Sequence, residues 1–424
     1  MQINAKKIIL DCVDLAVKAS SPNQTLSRHL PTDNKSAVIV ISVGKAAASM
    51  AVEFEKYWQG SIRGLAVVPY HYKEPLEYFE QIEASHPIPD HMSVRAASKV
   101  FELTNNLNSS DTVFILLSGG SSSLICYPAG SINFSEKQKL NYALLRSGAN
   151  INEINCVRKH LSAIKGGRLA AHCHPAKVHT FAISDVVGDD PSIIGSGPTI
   201  VDPTTPDDAI RILEKYDVTA TTSITNWLRR THPEIPKLDS KSENYTIISS
   251  GTMMLDKVVQ FARKSNLGII NLGELEGDAC DIANQTATYL TTIKPKVPTL
   301  LISGGEATVK LKGNGRGGPN SEYLLSLALK LRGNKNIFAL AVDTDGIDGS
   351  EDNAGAIITP DTLKNAHKIG LDLEAMLKNN DSYSAFLKLN SLILTGPTGT
   401  LSLIHISEPT RLLSISYAVF CLKK

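Results

Sequence analysis

The chain has 424 residues, 42% of them hydrophobic, and 43 Lys+Arg against 42 Asp+Glu leave a formal net charge of +1. That near-neutral balance excludes a protein that works by neutralising a nucleic-acid backbone, and the length exceeds one ordinary core, predicting two domains of roughly 150–250 residues each. Of the six cysteines, Cys421 lies in the last residues, which are set aside below, and the remaining Cys12, Cys126, Cys156, Cys173 and Cys280, with no CxxC pair, predict reduced thiols and a cytoplasmic protein; no leader is expected, and no run of about 18 apolar residues that could span a membrane occurs.

Short β-branched runs alternate with helical patterns along the chain. Ala37–Gly44, Thr112–Gly119, Val178–Ser184, Thr246–Gly251, Pro298–Gly304 and Ile337–Asp343 read as buried parallel strands, which is α/β architecture. Ligands in such sheets gather beyond the carboxyl ends of the strands, so the polar residues that follow these runs carry the functional reading. The polar, proline-containing stretch 231–244 is the expected domain boundary.

Gly44-Lys45 puts a lysine in the first turn of a helix directly after a strand, where a helix prefers an anion. Either a bound anion resolves the misfit, or the side chain snorkels to solvent. Ser118-Gly119-Gly120-Ser121-Ser122 and Ser303-Gly304-Gly305-Glu306 read as two turns at strand ends, each able to close backbone N–H groups and hydroxyls on phosphate or carboxylate. Ile151–Leu169 reads as a loop into a helix carrying Arg158, Lys159, Lys165 and Arg168, with a solvated basic face as the alternative to an anion site.

Two acidic clusters close strands: Asp185, Asp189 and Asp190, then Asp343, Asp345 and Asp348. Carboxylates gathered there are costly unless they meet a lysine, a metal or a proton to move, and the second set supplies the hard oxygens that Mg²⁺ prefers. Gly313–Gly318 satisfies G-x-G-x-x-G, but the preceding Ala307–Lys312 alternates like an exposed antiparallel strand, which argues against a dinucleotide site. Arg316 in that loop, ahead of a helix starting near Pro319-Asn320-Ser321-Glu322, reads instead as a mobile guanidinium for phosphoryl oxygens.

Residues 401–424 read differently. Leu401–Arg411 resembles the in-frame translation of a transposase-type sequencing adapter, and Ile415–Lys424 resembles the flow-cell end of one. Natural sequence is therefore expected to break off at Thr400, and the tail to lie outside the compact core or to pack poorly. Setting aside Glu408, Arg411, Lys423 and Lys424 moves the net charge to about −1.

Taken jointly, the strings Val43–Ala46, His86–Asp90, Ser118–Ser122, Asn155–Ser162 with Lys165–Arg168, Ser184–Asp189, Gly195–Thr199, Ser303–Glu306, Gly315–Glu322, Asp343–Gly349 and Thr395–Thr400 resemble the glycerate 2-kinase family. The resemblance implies a Rossmann-like, mostly parallel sheet domain over 1–240, a second, smaller α/β (MOFRL) domain over 241–400, and an active site in the cleft between them. It implies ATP-dependent phosphorylation of D-glycerate at the 2-hydroxyl, with ATP and Mg²⁺ required, and no nucleic-acid or membrane partner; a homodimer is the assembly to test. Lys45 and Arg316 are then expected at the transferring phosphoryl, and Asp189 as general base. Ser118, Gly119, Gly120, Ser121, Ser122, Arg158, Lys165, Ser303, Gly304, Gly305, Glu306, Asn320 and Glu322 are expected at substrate or nucleotide, with Asp343 and Asp345 on the metal. The alternatives are an NAD(P)H-dependent hydroxypyruvate reductase, a name that sequences of this family often carry, and an inert sugar-acid sensor, which would lack these charged donors.

Overall fold

The computed structural model describes residues 4–230, 244–334 and 336–396, together with the backbone of strands at 404–405, 413–416 and 418–423. Its contacts divide the chain into Leu26–Ile248 and a second unit made of Met1–Thr25 with Ser249–Lys424. Most of the boundary stretch 231–244 lies outside the described residues, as does the end of Thr395–Thr400.

In the first unit, β1 (Val38–Val43), β2 (Ile62–Pro69), β3 (Phe79–Ala84), β4 (Thr112–Leu117), β5 (Lys177–Ile183) and β6 (Tyr245–Ser249) form one sheet in the order β3-β2-β1-β4-β5-β6. The registers from β3 to β5 are all parallel. β1 is buried at every position because helices cover both faces, as a parallel sheet requires. One face packs Ile41, Val67, Ile115 and Leu117 beneath the helix His91–Leu103; on another side Phe54, Trp58 and Phe114 meet with ring centroids 5.2–5.3 Å apart. β2 and β3 escaped the sequence reading. β3 alternates at the sheet edge, with Phe79, Ile82 and Ala84 buried and Glu80 exposed, a pattern unlike a continuous apolar run.

This strand order is that of a doubly wound sheet, and the chain reverses direction between β1 and β4. The turns that leave those two strands therefore open onto the topological switch point.

In the second unit, β7 (Gly268–Asp278) runs parallel to β8 (Thr299–Val309). β9 (Ile337–Val342), β10 (Gly355–Ile358) and β11 (Leu392–Ile393) follow by antiparallel pairing. The expectation that 337–343 is a parallel strand is thus corrected: the link 343–354 contains no helix, and a helix-free link of that length returns the chain antiparallel. The helix Ala5–Ser20 also departs from the expected grouping of 1–240. Its buried Ile9, Cys12, Val13 and Ala16, spaced as one helical face, join the core of Leu255, Val258, Leu300 and Ile302 in this unit.

The tail differs from expectation as well. Backbone strands β12 (Ile404–His405), β13 (Leu413–Ser416) and β14 (Ala418–Lys423) pair within this sheet, and β14 lies antiparallel between β8 and β9. Two strands whose facing edges would otherwise be unpaired give an added segment a full ladder of hydrogen bonds. Among the described residues no helix is long and apolar enough to cross a membrane.

Candidate active site

The two turns at the switch point of the Leu26–Ile248 unit interlock. Gly44 leaves β1 at φ +131°, and a Cβ there would fall 2.1 Å from Ser118 Oγ and 2.6 Å from the Ser118 carbonyl oxygen, so only glycine allows the approach. The Ser118 N–H donates to Val43 O at 2.9 Å and the Lys45 N–H to Gly119 O at 2.9 Å; the Ala46 N–H donates to Ser118 Oγ at 3.1 Å. These bonds use the amides of Lys45 and Ala46, which lie in the turn just ahead of the helix Ala47–Tyr57, so Lys45 precedes that helix rather than standing in its first turn as expected. Gly120, at φ +84°, leads into the short helix Ser121–Leu124.

Side chains collect around this junction. Lys45 is 6% exposed, so its ammonium does not snorkel to solvent. Asp185, just past β5, is its electrostatic neighbour: burial pushes the Asp185 carboxyl up to about 6, and Lys45 pulls against that rise. Asp189 holds a left-handed backbone at φ 56°, and its Oδ1 is buried with no hydrogen-bond partner. Asp190 instead caps its own turn, accepting from the Ser192 N–H at 2.8 Å. The Gly195-Ser196 turn closes the far side, with Ser196 Oγ 2.8 Å from Ser122 Oγ. His86 Nδ1 lies 2.7 Å from Ser123 Oγ.

The basic segment is not a solvated face. It folds as the helix Ile151–His160 followed by a turn, and Gly167 then starts a second helix, Arg168–Cys173. Lys159 is buried against Asp202 at 3.2 Å, with His160 Nε2 3.6 Å from the same carboxylate. Arg168 donates to the carbonyls of Lys159 and Lys165 at 3.0 and 2.9 Å. Lys165 is 3% exposed, and its Nζ donates to Ser122 Oγ at 2.8 Å. Burial lowers its ammonium to about 7, and neighbouring Lys137 and Arg158 push the same way. Sequence reading missed Lys137. Its signal was phase: Lys137 shares the buried stripe of helix Phe134–Arg146 with Leu140 and Leu144, an i, i+3, i+7 spacing that marks an inward face.

The second unit changes several expectations. Ser303, Gly304, Gly305 and Glu306 do not form a turn at a strand end. They lie inside β8, where Gly304 to Glu306 pair with Glu274 to Glu276 of β7 across a register shift, and Gly305 at φ +125° backs directly onto the Leu275 backbone. Ala307 to Val309 continue that buried strand rather than forming a separate exposed one. Nine residues then precede the helix Pro319–Leu331, so Gly313–Gly318 is not the tight strand-to-helix turn that a dinucleotide site uses.

Arg316 is held rather than loose: its guanidinium pairs with Glu351 and lies 4.6 Å from the Tyr383 ring centroid. Asp348 caps the helix Pro319–Leu331, accepting from the Asn320 and Ser321 N–H groups at 2.9 and 2.8 Å and from the Asn320 side chain at 3.2 Å. Glu322 is 5% exposed and accepts from Asn380 Nδ2 at 3.0 Å; Asn380 Oδ1 in turn accepts from the Lys312 and Gly313 N–H groups. Asn320 and Glu322 thus hold the glycine loop and its helix. Asp343 and Asp345 are buried after β9, each with one oxygen accepting a backbone N–H, from Asp345 and Ile347 respectively. Among the described residues no three His, Cys, Asp or Glu side chains gather as a metal cage. Two carboxylates fit an ion that takes its remaining ligands from phosphate and water.

Residues 8–229 match the family described as a domain of unknown function (DUF4147), and residues 299–401 match the MOFRL family. A D-glycerate 2-kinase of Thermotoga maritima is 40% identical over 93% of this chain and 96% of its own length. A protein of Agrobacterium vitis named putative hydroxypyruvate reductase is 40% identical over 94% of this chain and 93% of its own. The crystal structure of a glycerate kinase from Thermotoga maritima matches with a TM-score of 0.85 and 36% identity, covering 99% of both chains.

Proposed function

The chain belongs to the glycerate 2-kinase family of joined DUF4147 and MOFRL domains, and from that premise we propose that it transfers the γ-phosphoryl group of ATP to the 2-hydroxyl of D-glycerate. The observation that carries this reading within the site is the buried Lys45 with its electrostatic neighbour Asp185, half-buried, beside the Ser118–Ser122 turn, at the crevice where such sheets bind ligands. Phosphoryl transfer asks a protein mainly to position two reactants and to neutralise charge on the group in flight.

In this reading the 2-hydroxyl oxygen bonds to the γ-phosphorus as the bond to the bridging oxygen breaks and its electron pair leaves with ADP. Asp189 takes the hydroxyl proton on Oδ1, the oxygen that no protein donor occupies. Lys45 faces the developing phosphoryl charge, and Asp185 keeps that ammonium in place. Asp343 and Asp345 would hold Mg²⁺, which when bound neutralises nucleotide phosphate charge. Arg316 serves the phosphoryl oxygens once it exchanges Glu351 for them. Five described cysteines, all free, agree with a cytoplasmic setting; a homodimer is part of the same proposal.

The reductase name carried by relatives is the second reading, favoured by the strand order. Against it, the turn after β1 has the single glycine Gly44, and its amides at Lys45 and Ala46 are already bonded to Gly119 and Ser118, leaving no cradle for a pyrophosphate. The deciding experiment supplies D-glycerate with MgATP, reads 2-phosphoglycerate through enolase, and in parallel supplies hydroxypyruvate with NADH. Enolase-competent product supports the kinase; NADH oxidation without it overturns the kinase reading.

A further inference from the structure

Three basic side chains from three separate segments converge in the Leu26–Ile248 unit, and among the described residues none of them is ion-paired with an acid. Lys137 comes from the helix Phe134–Arg146, Arg158 from the helix Ile151–His160, and Lys165 from the turn after it. Lys137 is 1% exposed and its Nζ has no hydrogen-bond partner. Arg158 acts electrostatically on both Lys137 and Lys165, Lys137 acts on Lys165, and Cys126 acts on all three. The acid of this region, Asp202, is taken by Lys159 at 3.2 Å and His160 at 3.6 Å. Burial without a counter-charge holds all three below their ordinary values, so a bound anion would restore the charge that burial disfavours; beside the cluster Ser122 Oγ accepts from Lys165 and meets Ser196 Oγ.

We propose that Lys137, Arg158 and Lys165 form a subsite for the carboxylate of the hydroxy-acid substrate, with Ser122 at its rim. The inference rests on the kinase reading and deepens it by naming which group of the substrate is held where. A carboxylate fits better than nucleotide phosphate for a reason of charge. A triphosphate arrives with Mg²⁺, and the buried Lys137 and Lys165 with the half-buried Arg158, which pair with no acid among the described residues, repel that ion, whereas a small metal-free monoanion meets two ammonium groups and a planar guanidinium. Ser122 sits two residues beyond Gly120, so an acid held here has its hydroxyl carbon next to the switch-point turn. The same subsite would reject neutral polyols, because their entry leaves the cations unpaired.

The test titrates D-glycerate, its neutral amide D-glyceramide, and MgATP separately into the full chain, read by calorimetry and by thermal shift. D-glycerate is expected to bind at least about tenfold more tightly than D-glyceramide, the scale of a lost charge-assisted hydrogen bond. Lys137→Met is expected to weaken D-glycerate about tenfold or more while MgATP changes less than about twofold, and Lys137→Arg to recover most of the loss. Equal binding of acid and amide in the unaltered chain overturns the subsite, and that comparison needs no variant to fold. A Lys137→Met effect on MgATP in place of D-glycerate also overturns it, by assigning the cations to nucleotide. If the chain binds D-glycerate in this Lys137-dependent way but never phosphorylates it, the subsite stands and the kinase reading falls. Phosphorylation of acid and amide with equal KM does the reverse.

Discussion

The backbone N–H of Ala46 donates to the Oγ of Ser118 at 3.1 Å, which ties the turn after β1 to the turn after β4 across the point where the chain reverses direction. The contact exists because Gly44 has no side chain. Gly44→Ala forces a Cβ to within 2.1 Å of Ser118 Oγ and 2.6 Å of its carbonyl oxygen at φ +131°, adding a clash to a strained backbone, a loss of about 2–4 kcal/mol. The melting temperature should fall and activity with it. Adding Ser118→Ala removes only the hydroxyl and should restore a minority of the loss, because the carbonyl clash remains. Full recovery in the double variant would show that the turns are not locked through their backbones.

The Asp185 carboxyl, raised to about 6 by burial despite Lys45, predicts an acidic limb in the pH dependence of kcat/KM. Below about 6 it is protonated and no longer holds the Lys45 ammonium, so the rate falls as pH drops. Asp185→Asn should abolish that limb and lower the plateau by about tenfold or more, and Lys45→Met should lower kcat by roughly 10²-fold. An Asp185→Asn variant that keeps the limb places the titrating group elsewhere.

The first sheet was legible where its strands are buried on both faces: Val38–Val43 and Thr112–Leu117 fall within two residues of the runs read from sequence. Edge strand β3 and the antiparallel return of β10 were not, since neither is a continuous apolar run between helices. Lys45 and Asp189 could be named because each follows a strand. Ser303-Gly-Gly-Glu306 misled for the same reason: it looks like Ser118-Gly-Gly, but β7 pairs alongside it and keeps it extended, a long-range fact that local pattern does not contain. Arg158 and Lys165 were named from sequence, whereas Lys137 was not, because it lies on the separate helix Phe134–Arg146 and only the tertiary fold brings it to them.

Glu322 predicts a pH-dependent stability. Burial raises its carboxyl to about 7 from 4.5, so between those values the folded state keeps a proton that the unfolded chain releases. This contribution is present below 4.5 and is lost as pH rises through about 7. Glu322→Gln keeps an oxygen to accept from Asn380 Nδ2 and removes the buried charge. It should therefore raise the melting temperature at pH 8, by the equivalent of about 1–3 kcal/mol, and change it little at pH 4.5. An equal shift at both values would assign the effect to packing.

For Asp345, replacement by Asn keeps an oxygen that can accept the Ile347 N–H, seen at 2.8 Å, while removing the negative charge that attracts a hard cation. Apparent Mg²⁺ affinity should drop by about tenfold, and higher Mg²⁺ should restore most of the rate. Mg²⁺ titrations that coincide with those of the unaltered chain would remove Asp345 from the metal set.

The tail can be tested against its own backbone pairing. β14 is bonded on both edges, Val419 to Ser303 and Ala341 and Leu422 to Leu300 and Phe338, so a chain ending at Thr400 leaves β8 and β9 with facing unpaired edges. Such edges invite association between copies. The shortened chain should melt several degrees lower and sediment partly as aggregate, whereas the adapter-like reading of residues 401–424 expects removal to help. A third chain, in which 401–424 are replaced by the C-terminal ending of the Thermotoga maritima D-glycerate 2-kinase, separates the two. If it melts well above the unaltered chain, the slot between β8 and β9 is real but poorly served by this tail. If the chain cut at Thr400 melts as high as the unaltered one and stays monodisperse, β14 contributes nothing and the paired strand is not part of the folded protein in solution.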